Sequence, residues 1–343
     1  KLTTIYVSEY NSTTGKGWTT ENVTNSQYMF NGDTKIVGGN GTKYSWSYQD
    51  ATYARIDTAE TPGYLTEKGA ITTAGTYLPK NFTQVEGTDL SNGLTIQDSK
   101  GNQYVWVEVP KTAEVYPTAG LKITEFTEAE YTAIETDLHT YTNDYRNGTK
   151  YTDTYYSDDI TGLTSAQYTE LKQKMLKSVY QNGGFYIGKY ETGIEDAPKT
   201  SGSSSTAPTE TPVIKPNAYP YNNVTCKQAQ TLASNMERGD RTTSLLFGVQ
   251  WDLTLKYLEK KGTAQADLKT DSTSWGNYRN NAWNITNENL KYTPNGLNWS
   301  TATSKSKTAS ENILLSTGAD ETFSKMGIYD LAGNVWEWTL EYT

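Results

Sequence analysis

Residues 326–343 read MGIYDLAGNVWEWTLEYT, and the centre of that stretch, Gly327-Ile328-Tyr329-Asp330-Leu331-Ala332-Gly333-Asn334-Val335-Trp336-Glu337-Trp338, decides the fold. A Gly-Asn turn precedes two tryptophans that flank a glutamate. Alternate residues of a strand point to opposite faces, so an extended reading puts Trp336 and Trp338 on one face. Two indoles so close together are large enough to anchor a core, and both are expected inside.

Working upstream, other punctuated segments appear in order. Residues 94–98 and 104–110 (YVWVEVP) read as a hairpin around Lys100-Gly101-Asn102, with the second strand buried on both faces. Thr127 with Glu130 forms a capping box ahead of Tyr131, Ile134 and Leu138. Thr164 with Gln167 forms another, ahead of a Tyr168, Leu171, Met175 and Val179 stripe that Gly183 stops. A strand follows in residues 183–193 (GGFYIGKYETG). Residues 198–219, rich in Pro, Ser and Thr, read as a surface loop. Thr225 with Gln228 caps a third helix with Ala229, Leu232, Ala233 and Met236 inward. A fourth runs over about 248–261, with Trp251, Leu255 and Leu258 on one face. Residues 262–310 read as long irregular loops.

The terminal stretch, together with YVWVEVP, GGFYIGKYETG, the helix entered at Thr225 and residues 241–252 (RTTSLLFGVQWD), resembles the formylglycine-generating-enzyme/sulfatase-modifying domain family. The likeness covers about residues 92–343. It implies an α+β, C-type-lectin-like domain over residues 91–343, with residues 1–90 as a β-rich N-terminal module outside it. In that family the stretch wraps calcium. Carried over, Asp330 and Glu337 supply side-chain oxygens and Gly333 and Val335 supply carbonyls. Calcium takes six to eight hard oxygens, and a glycine lets carbonyls converge. The family's oxidase chemistry uses two cysteines placed after this signature, beyond residue 343, so the domain is expected to be cut short at its C-terminus and no catalytic residue is expected in this chain. The variant also resembles the ligand-binding proteins diversified by retroelements, whose variable face follows the GNVWEW core.

Composition bounds the rest. Tyr (27) and Trp (9) far outnumber Phe (6), which fits β-rich extracellular or virion proteins rather than disorder. Net charge is −9 without a basic cluster, which argues against nucleic acid and suits a divalent cation. The single cysteine, Cys226, excludes an internal disulfide and reads as a buried apolar residue. The lone His139 excludes a histidine-cluster metal site and is expected to be solvated. The carboxylate pairs Glu128/Glu130 and Asp158/Asp159 read as solvated positions. No run of eighteen apolar residues spans a membrane. Trp275, Tyr278, Trp283 and Trp299 either line a face for a carbohydrate or protein ligand or pack the loops onto the core. The expectation is therefore a non-enzymatic adhesin or receptor-binding protein on a bacterial or virion surface, with a pilus, tail or other anchor as a candidate partner in assembly. A truncated oxidase and a purely structural pilus or tail component are the alternatives.

Overall fold

The computed structural model describes residues 2–341 apart from 9, 11, 13, 14, 16, 59, 68–70, 146–157 and 240. The side chains of Asp158 and Asp159 also lie outside the described residues, and with them the second carboxylate pair. The chain forms two compact units: Lys1–Thr72 with Tyr77–Lys80, and Thr73–Thr76 with Asn81–Thr343.

In the first unit, strands β1 (Ile5–Val7) and β2 (Leu65–Glu67) pair in parallel, and most of the chain between them is turns. Val7, Phe30, Ile36, Ala54, Tyr64 and Leu65 make a small core. A turn-rich chain leaves many amides without ladder partners. Asp57, buried, gathers several of them. Its carboxylate accepts the N–H of Asn40 and of Thr42 at 2.9 Å, the N–H of Gly63 at 3.1 Å and the Thr42 hydroxyl at 2.6 Å. Burial pushes that carboxyl up, but these donors together hold it below its ordinary value.

The second unit opens earlier than residue 91, because β3 (Thr83–Gln84) already pairs with β4 (Thr95–Gln97). β5 (Gln103–Glu108) completes the expected hairpin, whose turn is held by Asp98 accepting the amides of Lys100 and Asn102. Helices α1 (Glu128–Tyr141), α2 (Asp158–Thr161) and α3 (Ser165–Asn182) follow, and then β6 (Gly184–Gly188) returns beside β5. The sheet order is β3-β4-β5-β6, antiparallel throughout. Val105, Trp106 and Val107 bury both faces of β5. Trp106 lies so close to Gly184 that a Cβ there would meet the indole at 2.5 Å and Val107 O at 2.3 Å. Both expected capping boxes are present, and Gly183 ends α3 at φ 75°.

The inner face of α3 differs from the expected stripe. Tyr168, Lys172, Leu176, Val179 and Tyr180 are buried, while Leu171 and Met175 sit at the margin. The helix is rotated because Lys172 turns inward to two carboxylates.

β7 (Gly193–Ile194) and β8 (Tyr219–Pro220) pair across the Pro- and Ser-rich loop. Helix α4 (Cys226–Ser234) carries its capping box but buries only Cys226 and Gln230, the four expected inward residues being half-buried. α5 (Gly248–Lys260) buries Leu253, Leu255 and Leu258, with Trp251 at the margin, and α6 (Gln265–Leu268) is one short turn.

The expected loops of 262–310 contain instead the longest strands described, β9 (Trp283–Thr293) and β10 (Ser300–Lys307), with β11 (Leu314–Leu315) on β9's other edge. The strand pattern is unreadable because the buried pair Ile285 and Leu290 is five residues apart, an interval a regular strand would split between two faces. A register shift opposite Ala302/Ser304 bulges β9 between them, and both join a core with Ile313, Leu315 and Phe323. β12 (Ser324–Lys325) and β13 (Ile328–Tyr329) form the hairpin that leads into the terminal stretch.

Candidate functional site

The stretch after β13 is a loop strapped to three neighbours. Asp330 and Asn334 take positive φ of 59° and 65°, and Gly333 takes 80°. Gly333 bridges Asn277, whose carbonyl carbon would lie 2.6 Å from a Cβ at 333, so only glycine fits. Asn334 is the hub. Its Oδ1 accepts from Asn277 Nδ2 at 2.9 Å and from Leu315 N at 3.0 Å. Its Nδ2 donates to Leu315 O at 3.2 Å and to Glu191 Oε2 at 2.7 Å. Glu191 Oε1 also accepts the Val335 amide at 3.2 Å.

Three carboxylates therefore share this region: Glu191, Asp330 and Glu337. Asp330 is buried, and its Oδ2 accepts Gly318 N at 2.6 Å. Burial raises all three above the ordinary carboxylate range, and Asp330 repels both Glu191 and Glu337. Desolvation alone pushes Asp330 up to about 7, against the Gly318 bond. Much of Glu337 stays open to solvent even so. Among the described residues no ion pair engages any of the three. Uncompensated acidic groups beside a glycine turn fit a hard divalent cation by charge. They are not a closed cage, since the group of acid and histidine ligand atoms that does converge within 4.8 Å lies elsewhere. Glu191 has no counterpart among the four expected ligands. Its place in GGFYIGKYETG gives no local signal, and only the fold brings it to the loop.

The two tryptophans are corrected. Trp336 is 100% exposed and Trp338 50% exposed. The loop continues past Gly333 without strand pairing, and the Val335 amide is spent on Glu191, so strand alternation does not apply. Trp338 instead donates Nε1 to Val224 O at 3.2 Å.

The four candidate ligand-face aromatics do not gather on one open surface. Trp275 is buried and donates Nε1 to Phe323 O at 3.2 Å. Tyr278 packs on the main core, and burial pushes its phenol up to about 12. Trp283 is half-buried, donating to Asn277 Oδ1 at 3.0 Å with its ring on Phe323. Trp299 is half-buried against Tyr219.

Cys226 is buried at the start of α4, its Sγ 3.9 Å from Thr339 O, and burial pushes the thiol up to about 11. His139 is not solvated as expected. It is half-buried, with Nε2 4.0 Å from Glu135 Oε1, and it belongs to the converging group Glu135, His139 and Glu341. Two carboxylates there share one counter-charge, Lys172, whose Nζ bonds Glu135 and lies 3.2 Å from Glu341 Oε1. Glu341 Oε2 accepts Val249 N at 3.1 Å, at the first turn of α5. The setting of His139 escapes a linear reading, because its neighbours come from α1, α3 and residue 341.

A mixed α+β domain built on this loop defines a class, the C-type-lectin-like domain. Residues 121–343, more than half of the chain, match the model of the sulfatase-modifying factor enzyme 1-like domain, and the chain belongs to that family. Comparison with curated proteins and with solved structures finds no match. No described helix is long and apolar enough to cross a membrane.

Proposed function

We propose that this chain is a non-enzymatic, ligand-binding member of its family, displayed on a bacterial or virion surface, with a calcium-stapled terminal loop. The observation that carries the reading is the terminal loop, where Glu191, Asp330 and Glu337 meet without an ion-pair partner among the described residues; Cys226, the one cysteine within residues 1–343, adds to it. A nucleophilic or metal-ligating cysteine needs a lowered thiol pKa and access. Cys226 has neither, being buried with its thiol raised. Asp330 and Glu337, with the carbonyls of Gly333 and Val335, would hold the ion, which would neutralise carboxylates that otherwise repel. Glu191 fixes the loop from behind through Asn334 and the Val335 amide. The role of the loop is then support for a binding surface rather than reaction.

The reading is tested by incubating the chain with copper, dioxygen and a peptide carrying a cysteine in a sulfatase-type sequence. Mass spectrometry is expected to find the peptide unchanged. Conversion of its cysteine to the aldehyde would overturn the proposal in favour of the oxidase.

A further inference from the structure

The first unit has an unusual surface. Most of the exposed large hydrophobic residues among those described fall within residues 1–72, including Tyr28 (62% exposed), Trp46 (66%) and Tyr48 (45%). Single exposed rings need no explanation, but a concentration of them marks a contact surface. Two features narrow what that contact is.

The first is rigidity. The turn bearing Trp46 and Tyr48 hangs from the core through Tyr64, which is fully buried. The Tyr64 hydroxyl accepts the Ser45 amide at 2.9 Å and donates to the Ser45 carbonyl at 3.4 Å. Tyr48 N–H closes the turn on Ser45 O at 3.1 Å, and Gln49 Nε2 bonds Trp46 O at 2.6 Å. Tyr48 lies flat on Tyr53, with ring centroids 4.2 Å apart and planes 17° from parallel, leaving its other face open. Trp46 meets Tyr44 edge-on at 5.3 Å, so its indole is propped from one side. These rings are held before any partner arrives, which removes an ordering cost from binding.

The second is neutrality. Residues 44–49 contain no charged side chain, and neither do residues 22–32, joined to them by the 3.0 Å bond from Phe30 N to Gln49 O. What accompanies Tyr28, Met29, Trp46 and Tyr48 is amide and hydroxyl: exposed Asn25, Gln27 and Ser47. Arg55 lies against the Tyr53 ring at 5.7 Å, beneath the stack rather than within either run. An anionic polymer would need a row of cations, which is absent from both runs. The charged residues Glu21, Asp33, Lys43 and Asp50 stand at the ends of the two runs and none lies within them, so the rings themselves are surrounded by neutral groups.

We propose that Trp46 and Tyr48, with the uncharged runs 22–32 and 44–49 around them, form a stacking platform for a neutral carbohydrate chain. The electron-rich faces of the rings take the polarised C–H groups of a pyranose face. The surrounding amides and hydroxyls take its hydroxyl groups. The proposal stands on the first unit alone and does not depend on how the terminal loop of the second is read.

The test presents the full chain to immobilised neutral hexasaccharides of α- and β-linked glucose, mannose, galactose and N-acetylhexosamine, and to an anionic hexasaccharide of hyaluronan type. The expected result is saturable binding to a neutral sugar that persists at about 0.5 M salt, where exposed charges are screened beyond a few ångströms. Trp46→Ala and Tyr48→Ala are each expected to weaken it at least about tenfold. Ser47→Glu, which leaves both rings and the core in place, should weaken it too, and Trp336→Ala should not. Melting midpoints equal to that of the parent chain establish that the variants are folded. No neutral sugar bound, binding indifferent to all three variants, or binding of the anionic sugar alone that salt abolishes would each overturn the platform. So would a self-associated species in sedimentation that Trp46→Ala dissolves while no sugar binds, which would make this face a protein interface.

Discussion

Asp57 and Glu337 are both acidic, and the structure assigns them opposite consequences. Asp57 is buried under four donors and its carboxyl is held low. As pH falls, the unfolded chain takes up this proton first, near the ordinary carboxylate value of about 4. The stabilisation from Asp57 is therefore full above that value and is lost as pH drops through the lower folded-state value. Asp57→Asn is expected to cost about 1–3 kcal/mol at neutral pH and to flatten the acid dependence, since donors are stranded or weakened. Urea unfolding at pH 7 and at pH 3 checks both parts, and an unchanged acid slope would count against the assignment. Glu337 accepts no side-chain or cross-chain hydrogen bond among those described, and it faces Asp330. Glu337→Gln is therefore expected to leave the melting midpoint in chelator unchanged or raised. The loss should appear only with calcium: at one hundred times its dissociation constant the ion adds about 2.7 kcal/mol to the parent chain, and the variant should lose most of that. Equal midpoints for the parent chain in calcium and in chelator would remove calcium from the loop. At this scale the Gly333-Asn334 turn was legible, but Glu191, which fastens it through Asn334 and the Val335 amide, was not. A partner over a hundred residues away leaves no periodic trace.

Elements were legible where their signals are local. The capping boxes at Thr127, Thr164 and Thr225 and the glycine stop at Gly183 sit where short-range hydrogen bonding puts them. The β9–β10 hairpin was not legible, because Asn and Thr fill its faces and a bulge breaks its alternation. Its stability must then come from something other than an apolar stripe, and Lys307 is one source. At the end of β10 it is buried, and its Nζ donates to the carbonyls of Tyr278 at 2.8 Å and Arg279 at 3.3 Å and, closest, to that of Asn281. Burial lowers its pKa, yet it keeps these three acceptors. Lys307→Met keeps the stem and removes the donors, at about 1–3 kcal/mol for each carbonyl left without a partner. Hydrogen exchange should quicken at Ser310, whose amide bonds Arg279 O at 2.8 Å, and in the β9–β10 ladder, while the β5–β6 ladder stays protected. Uniform quickening across both ladders would mean that Lys307 supports the whole domain rather than this hairpin.

At the scale of the second unit, the order of sequence blocks was enough to place the chain in its family, yet it did not reveal how the end of the described chain is fastened. Leu340, fully buried, donates its amide to Leu246 O at 2.9 Å, and Glu341 reaches Lys172 on α3 and the Val249 amide on α5. Glu135 and His139 on α1 complete the cluster. Glu341 thus ties the residues after the signature to α3 and α5, beside Glu135 and His139 of α1. Two carboxylates share one lysine here, so deleting the lysine is worse than deleting one acid, because the acids then keep their desolvation cost without that counter-charge. Glu341→Gln, which leaves Lys172 paired with Glu135, is expected to destabilise the second unit by about 1–3 kcal/mol through weakened bonds to Lys172 and the Val249 amide. Lys172→Met should cost about 3–5 kcal/mol by leaving Glu135 and Glu341 in mutual repulsion. The double variant should cost clearly less than the two added together, since the repulsion between Glu135 and Glu341 goes with Glu341. Glu170→Gln, which removes an exposed partner from Lys174, should be within error of the parent chain. Chemical unfolding of the three variants and this control closes the cycle. Strict additivity would show that Glu341 and Lys172 act separately, and the fastening would then rest on Leu340 and the Val249 amide instead of on the ion cluster.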